Sequence, residues 1–222
     1  MPVAHSDERL QQRSSLVGVL ALQGDFREHR LMLESLGAQV LEVRQPAQLA
    51  GLEGLVIPGG ESTTMAKLMA ACDLADAIRS FACAGHPLYG SCAGLIMLAR
   101  DTVEGSPKTL GLMDIVARRN AFGRQLQSFE ADLEISGLDG GPLRGVFIRA
   151  PWIEQAGPGV RVLASYGGHI VAAEEGGLSV TAFHPELTGD TRFHAYFLEM
   201  ARASRRPPTA PRDAEVASAT TR

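Results

Sequence analysis

The sequence predicts an α/β fold in which a mostly parallel sheet is covered by helices on both faces. Three observations carry this. Leu16-Val-Gly-Val-Leu-Ala-Leu22 is an unbroken apolar run, the pattern of a strand buried on both sides. A helical stretch, Phe26 to Leu36, follows it, and then two strand-like runs, Gln39 to Val43 and Leu52 to Ile57. This β-α-β-β order suits a parallel sheet. From Leu112 to Phe183 the pattern changes to short alternating strands separated by glycine turns, which extends the same sheet with antiparallel members. The expected architecture is a single-domain three-layer sandwich over residues 16–203. A polar leader (1–15) and an Arg/Pro/Ser/Thr/Ala-rich tail (204–222) are expected to be disordered.

The totals fit that architecture. A chain of 222 residues is long enough for one full core, and 45% hydrophobic with 21% charged residues is a globular balance. A net charge of −4 gives no reason to expect nucleic acid or an anionic membrane as partner. No run of 18 apolar residues occurs, and Met1 to Ser15 lacks the apolar core of a signal peptide, so the cytoplasm is the expected compartment. Cys72, Cys83 and Cys92 are odd in number and without C-x-x-C spacing. That argues against a disulfide framework and a zinc knuckle, and no metal or cofactor is expected.

Each element has a local reason. Phe26, Arg30, Leu33 and Leu36 recur at helical spacing, and Gly37 stops the helix. The third strand runs into Pro58-Gly-Gly-Glu-Ser-Thr-Thr64. Its glycines permit unusual backbone conformations, Ser62 or Thr63 is suited to cap the helix from about Met65, and no G-K-[ST] follows to make it a P-loop. His86 to Gly90 reads as a short buried strand and Leu95 to Leu98 as an apolar helix continuing to Arg100. The change from strand to helix must therefore occur within Gly90-Ser91-Cys92-Ala93-Gly94. That is the cysteine form of a nucleophile elbow. Cys92 would stand at a helix N-terminus, which favours an anion, with the N–H of Ala93 facing the place where an oxyanion forms. A buried packing cysteine beside a glycine-rich turn is the competing reading.

Downstream, Arg118 to Gln125 is a cationic stretch read as a loop, followed by strands over Gln127–Ile135, Arg144–Ile148, Arg161–Ser165, His169–Ala173 and Leu178–Phe183. The last enters His184-Pro185-Glu186, where the proline would hold His184 and Glu186 on an extended segment, pointing the same way. A surface loop is the plainer reading of that motif alone. With a cysteine elbow upstream it supplies a general base and the carboxylate that orients it. Asp190 to Ala203 is an amphipathic closing helix built on Phe193, Tyr196, Phe197 and Met200.

Gly90-Ser-Cys-Ala-Gly94 with His184-Pro-Glu186 resembles the triad (class I) glutamine amidotransferase superfamily, whose fold is flavodoxin-like. Leu20-Ala-Leu-Gln-Gly24, Pro58 to Met65, Arg119-Asn-Ala-Phe-Gly-Arg-Gln125, Ser128-Phe-Glu130, Val146-Phe-Ile-Arg-Ala-Pro151 and Phe183 to Thr188 are similar to glutaminase subunits of pyridoxal 5′-phosphate synthases. The resemblance runs from about Leu16 to Met200. It implies hydrolysis of L-glutamine and delivery of ammonia to a separate synthase subunit in a large heteromeric complex. It also implies a triad of Cys92, His184 and Glu186, and glutamine contacts at Gly60, Glu61, Ser62, Arg119, Ile148 and Arg149. The oxyanion hole would come from Gly60 and Ala93, and Gln23-Gly24 would lie in a synthase-contacting turn beside that loop. Ser91 stands where the family usually has threonine, and the hydroxyl is kept. Two other readings are weighed against this one: a cysteine peptidase or amidase acting alone, and a non-catalytic subunit on the same scaffold. An ammonia donor active without its acceptor would waste glutamine, so low activity is expected for the isolated chain.

Overall fold

The structure is a computed structural model that describes residues 14–122 and 128–204. The expected leader and tail, apart from residues 14, 15 and 204, and the end of the cationic loop (123–127) lie outside the described residues. The chain opens with β1 (Leu16–Leu20), α1 (Phe26–Ser35), β2 (Gln39–Val43), β3 (Leu55–Ile57), α2 (Ser62–Ala71), α3 (Leu74–Cys83), β4 (Leu88–Ser91) and α4 (Ala93–Leu98). It continues through eight strands to a last helix. These are β5 (Ala99–Thr102), β6 (Met113–Arg118), β7 (Ser128–Leu133), β8 (Leu143–Ile148), β9 (Trp152–Ala156), β10 (Arg161–Tyr166), β11 (His169–Glu175), β12 (Leu178–Thr181) and then α5 (Arg192–Ser204).

The main sheet runs β2-β1-β3-β4-β12-β11-β9-β6-β5, with β10 paired to β11. Its first five strands are parallel, and the antiparallel pairs lie beyond β12. Val17, Val19, Leu20, Leu55 to Ile57, Leu88 and Tyr89 are essentially sealed from solvent, as strands with helices on both faces must be. The expected α/β class and parallel-plus-antiparallel sheet are both present.

Several boundaries differ from the expectation. β7 and β8 pair only with each other, as a separate two-stranded sheet. The helix after the elbow stops at Leu98, and Ala99–Thr102 is a strand paired parallel to β6. No glycine or proline marks that switch, so only the tertiary pairing specifies it. Strand β9 is not among the expected strands; it bridges β11 and β6, and its outward residues are exposed, which blurs the alternation. On α1 the inward residues are His29 and Leu33, whereas Arg30 reaches outward to Glu42 at 3.3 Å. On α5 they are Phe193, His194, Phe197, Leu198 and Ala201, with Tyr196 and Met200 only half-buried.

Candidate active site

The parallel half of the sheet sets the site. Strands β1, β3, β4 and β12 are neighbours running the same way, so their carboxyl ends open on one edge, where open α/β sheets bind ligands. β3 delivers Pro58-Gly59-Gly60, β4 delivers Cys92 and β12 leads to His184. Register pairs Ile57 with Gly90 and Ser91 with Thr181, and the Cys92 N–H donates to the Thr181 carbonyl at 2.8 Å. Three segments far apart in sequence thus leave three adjacent strands, with Cys92 on the middle one.

The elbow is as tight as its sequence requires. Cys92 has φ 47° and ψ −99°, a conformation that costs a side-chain-bearing residue on the order of 1–3 kcal/mol. A Cβ on Gly90 would fall 2.6 Å from the carbonyl carbon and oxygen of Gly94, and one on Gly94 would collide with the Ile57 carbonyl. As the first residue of α4, Ala93 has no acceptor within the helix for its N–H.

His184 Nδ1 lies 2.8 Å from Glu186 Oε1, and the two side chains are 4% and 0% exposed. Pro185–Leu187 forms a 3-10 turn, not the extended segment expected, and the turn brings the carboxylate back under the ring. The His184 N–H donates to Val146 O at 2.8 Å, which anchors the turn to β8. Burial alone would push the imidazole down, but hydrogen bonds to Asp25, Cys92 and Glu186 outweigh it and lift the ring to about 12. Burial would likewise raise Glu186. The charge of His29 and hydrogen bonds from His184 and His29 overcome it and hold the carboxyl well below the usual range.

Gly60, Glu61, Ser62, Arg119, Ile148 and Arg149 all line one cleft with Cys92, of about 160 Å³. Clefts for drug-sized ligands run to roughly 300–1,000 Å³, so this one suits a molecule the size of an amino acid better than a peptide. Glu61, and not Ser62 or Thr63, caps α2: its carboxylate accepts from the Thr63 N–H at 2.9 Å and the Thr64 N–H at 2.7 Å. Those N–H donors, first that of Thr63, draw its carboxyl down to about 2 against the opposing effect of burial. Arg119 leans on this corner, donating to Thr63 Oγ1 at 3.4 Å and to Ser106 O at 3.3 Å, with Glu61 at 3.6 Å. Arg149 enters the cleft with φ 45°; among the described residues no hydrogen bond or ion pair engages its guanidinium.

Gln23 and Gly24 sit against the glycine loop as expected. Gln23 Oε1 accepts from the Glu61 N–H at 3.1 Å, and the Asp25 N–H donates to Gly59 O at 3.4 Å. Asp25 itself went unread in the sequence, yet its Oδ2 stands 3.3 Å from His184 Nδ1. Asp25, His184 and Glu186 present ligand atoms within 4.8 Å of one another, a spacing a metal ion could use. The Nδ1 atom such an ion would need is the one facing both carboxylates, and a ring N–H there accounts for both contacts. His29 and His194 also went unread. The available signal was position: His29 lies four residues before Leu33, and His194 three before Phe197, on the inward faces of α1 and α5.

Residues 19–203 match the SNO glutamine amidotransferase family. The chain is 54% identical over 190 residues to a protein of Frankia alni, covering 85% of this chain and 96% of that one. It is 55% identical over 197 residues to one of Acidothermus cellulolyticus, covering 86% and 95%. Both are named pyridoxal 5′-phosphate synthase subunit PdxT. Among solved structures, a glutamine amidotransferase crystal structure superposes with a TM-score of 0.80 at 49% identity, over 84% of this chain and 98% of that one. With the family matched over most of its length, this chain belongs to the SNO glutamine amidotransferase family.

Proposed function

We propose that this chain hydrolyses L-glutamine to L-glutamate and ammonia through Cys92, His184 and Glu186, and that it supplies the ammonia to the synthase subunit of a pyridoxal 5′-phosphate synthase. In this reading the Cys92 proton has already passed to His184, whose ring Asp25 and Glu186 hold charged, and the sulfur attacks the side-chain amide carbon of glutamine as the thiolate. The tetrahedral oxyanion is met by the N–H groups of Gly60 and Ala93. Collapse breaks the C–N bond, with the proton returned by His184 to the leaving nitrogen, and leaves a thioester. Water then adds, its proton again passing to His184, and glutamate leaves as the thiol is restored. Glu186 keeps the imidazole in the tautomer that presents Nε2 to sulfur.

The observation that carries the reading is the convergence on one sheet edge of the Cys92 elbow with the His184–Glu186 pair, bonded at 2.8 Å and buried beside it. Support for glutamine comes from the small cleft with its two arginines, and support for the partner from the names of the relatives. Among the described residues no helix is long and apolar enough to cross a membrane, which accords with the proposed cytoplasmic location.

The test is glutamate release from L-glutamine by the chain alone and with its synthase subunit, beside Cys92→Ala. Low activity alone, strong activation by the synthase and loss of both in the alanine variant are expected. No glutamate from the folded, associated pair would sink the reading.

A further inference from the structure

Behind Glu186 lies a sealed cluster that the proposed chemistry does not use. His29 on α1, Ser91 at the end of β4 and His194 on α5 are each 0% exposed. His29 Nε2 stands 2.9 Å from Ser91 Oγ and 3.2 Å from Glu186 Oε1, while its Nδ1 meets His194 Nε2 at 2.9 Å. Ser91 Oγ also donates towards Glu186 Oε1 at 3.5 Å. Every donor to the carboxylate converges on Oε1; Oε2 has no partner among the described residues. The carboxylate is therefore held by the oxygen that also faces His184, and His29 Nε2 is the second ring nitrogen near it, at 3.2 Å and shared with Ser91 Oγ.

We propose that His29 is a positioning residue for the glutaminase reaction, its Nε2–H shared between Ser91 Oγ at 2.9 Å and the Glu186 carboxylate at 3.2 Å so that Oε1 stays on His184. This rests on the reading of Cys92, His184 and Glu186 as the triad. The direction of the bonds follows from the protons. Burial, aided by His29, holds the His194 ring down to about 3, so it is neutral and carries one proton. A bare Nε2 lone pair 3.2 Å from the ionised Glu186 oxygen would be repelled by it, so His29 carries a proton on Nε2. Its Nδ1 then either accepts the His194 Nε2–H or, in the cationic ring, donates to His194. Glu186 faces an N–H in both cases.

Of the other groups facing the cluster, Ser91 Oγ reaches Glu186 Oε1 only at 3.5 Å and is itself bonded to His29 Nε2 at 2.9 Å. Tyr89, its ring 5.8 Å from that of His29, is hydrogen-bonded through its hydroxyl to Thr181, and Asp25 faces His184 from the solvent side. Losing the His29 donor leaves a buried carboxylate that takes up a proton more readily and is free to turn from His184.

The test compares His29→Leu, which removes the donor, with His29→Gln, which keeps an amide N–H of similar reach. Both are assayed with the synthase subunit present and checked for folding by thermal unfolding. In the leucine chain kcat is expected to fall about tenfold to a hundredfold, the range for a lost hydrogen bond to a charged group. KM should stay unchanged and the acid limb of kcat/KM should move to higher pH, with glutamine recovering most of both. The same limb is read without turnover from the rate of Cys92 alkylation by iodoacetamide, followed by peptide mass. If wild type releases no glutamate, the glutaminase reading fails, yet the alkylation limb still reports on His29. An unshifted alkylation limb in the folded leucine chain overturns the proposal, as does an equal loss of kcat in both variants without a shift. Should the leucine chain not fold, His29→Asn, whose amide stops short of Glu186, takes its place.

Discussion

Gly90→Ala tests whether the elbow's geometry, and not only its cysteine, governs activity. The added Cβ would lie 2.6 Å from the Gly94 carbonyl carbon and oxygen and 2.9 Å from the Leu95 nitrogen, all backbone atoms that no rotamer change can clear. Carbon contacts settle at about 3.5 Å or more, so the start of α4 must retreat from β4 by about 0.9 Å. Overpacking of this kind costs about 1–3 kcal/mol, and restricting the unfolded chain returns about 0.4–1 kcal/mol. The net loss is about 1–2 kcal/mol, a fall in Tm of about 2–8 °C for a domain of this size. Activity should suffer far more, because a misplacement of about 1 Å at a reacting group costs about a hundredfold. Gly189→Ala is the control: nothing lies within 4 Å of its Cβ position, so activity and Tm should match wild type. Thermal unfolding and synthase-activated glutamate release read both quantities. A Gly90→Ala chain with wild-type kcat and unchanged Tm would refute the close-approach reasoning.

Two further variants separate orientation from binding. Glu186→Gln should lower kcat by about 10²–10⁴-fold while sparing KM, since the amide can fix the wrong imidazole tautomer. Because the folded state holds Glu186 below its ordinary 4.5, the ionised group stabilises the fold above that pH, and the benefit fades as pH falls towards the folded value. The Tm gap between wild type and Glu186→Gln should accordingly be full above about pH 5 and narrow on acidification; a gap constant from pH 3.5 to 7 would contradict the linkage. Arg119→Ala should raise KM for glutamine about tenfold or more with a smaller change in kcat, by removing a charge-assisted contact at the cleft wall. Equal KM values from steady-state assays would take Arg119 out of the substrate site.

What was legible in the sequence was whatever is specified locally. The strand of Leu16 to Leu20 announces two-sided burial by its own composition, and the elbow announces itself because Gly90 and Gly94 bracket a cysteine where no loop fits. What was not legible is specified by partners distant in the chain. Ala99–Thr102 is a strand because β6 lies beside it, not because its residues demand one. His29 meets Ser91 and His194, which are 62 and 165 positions away, and a lone histidine on a helix face carries no mark of either contact. The helix cap fell between these cases. Glu61 precedes two residues better suited to capping, and it caps because its longer side chain folds back over Thr63 and Thr64 while Arg119 braces it from the other wall.

The backbone marks the cleft without any appeal to resemblance. Among the described residues four that are not glycine have positive φ: Asp73, Cys92, Asn120 and Arg149. Three of these four, Cys92, Asn120 and Arg149, line the same 160 Å³ cleft, as does Gly60 at φ 142°. Asparagine adopts such a conformation at little cost, but cysteine and arginine do not. Strain of about 1–3 kcal/mol per residue persists only where the surrounding structure over-determines it. Here it is imposed from three directions: Cys92 by the β4–α4 reversal, Asn120 by the turn closed through the Ala121 N–H to Ala150 O bond, and Arg149 by the exit from β8. Misfit backbone gathered around one small cavity is what a site held in a fixed geometry requires. Relaxing one wall should therefore lower activity before it lowers stability.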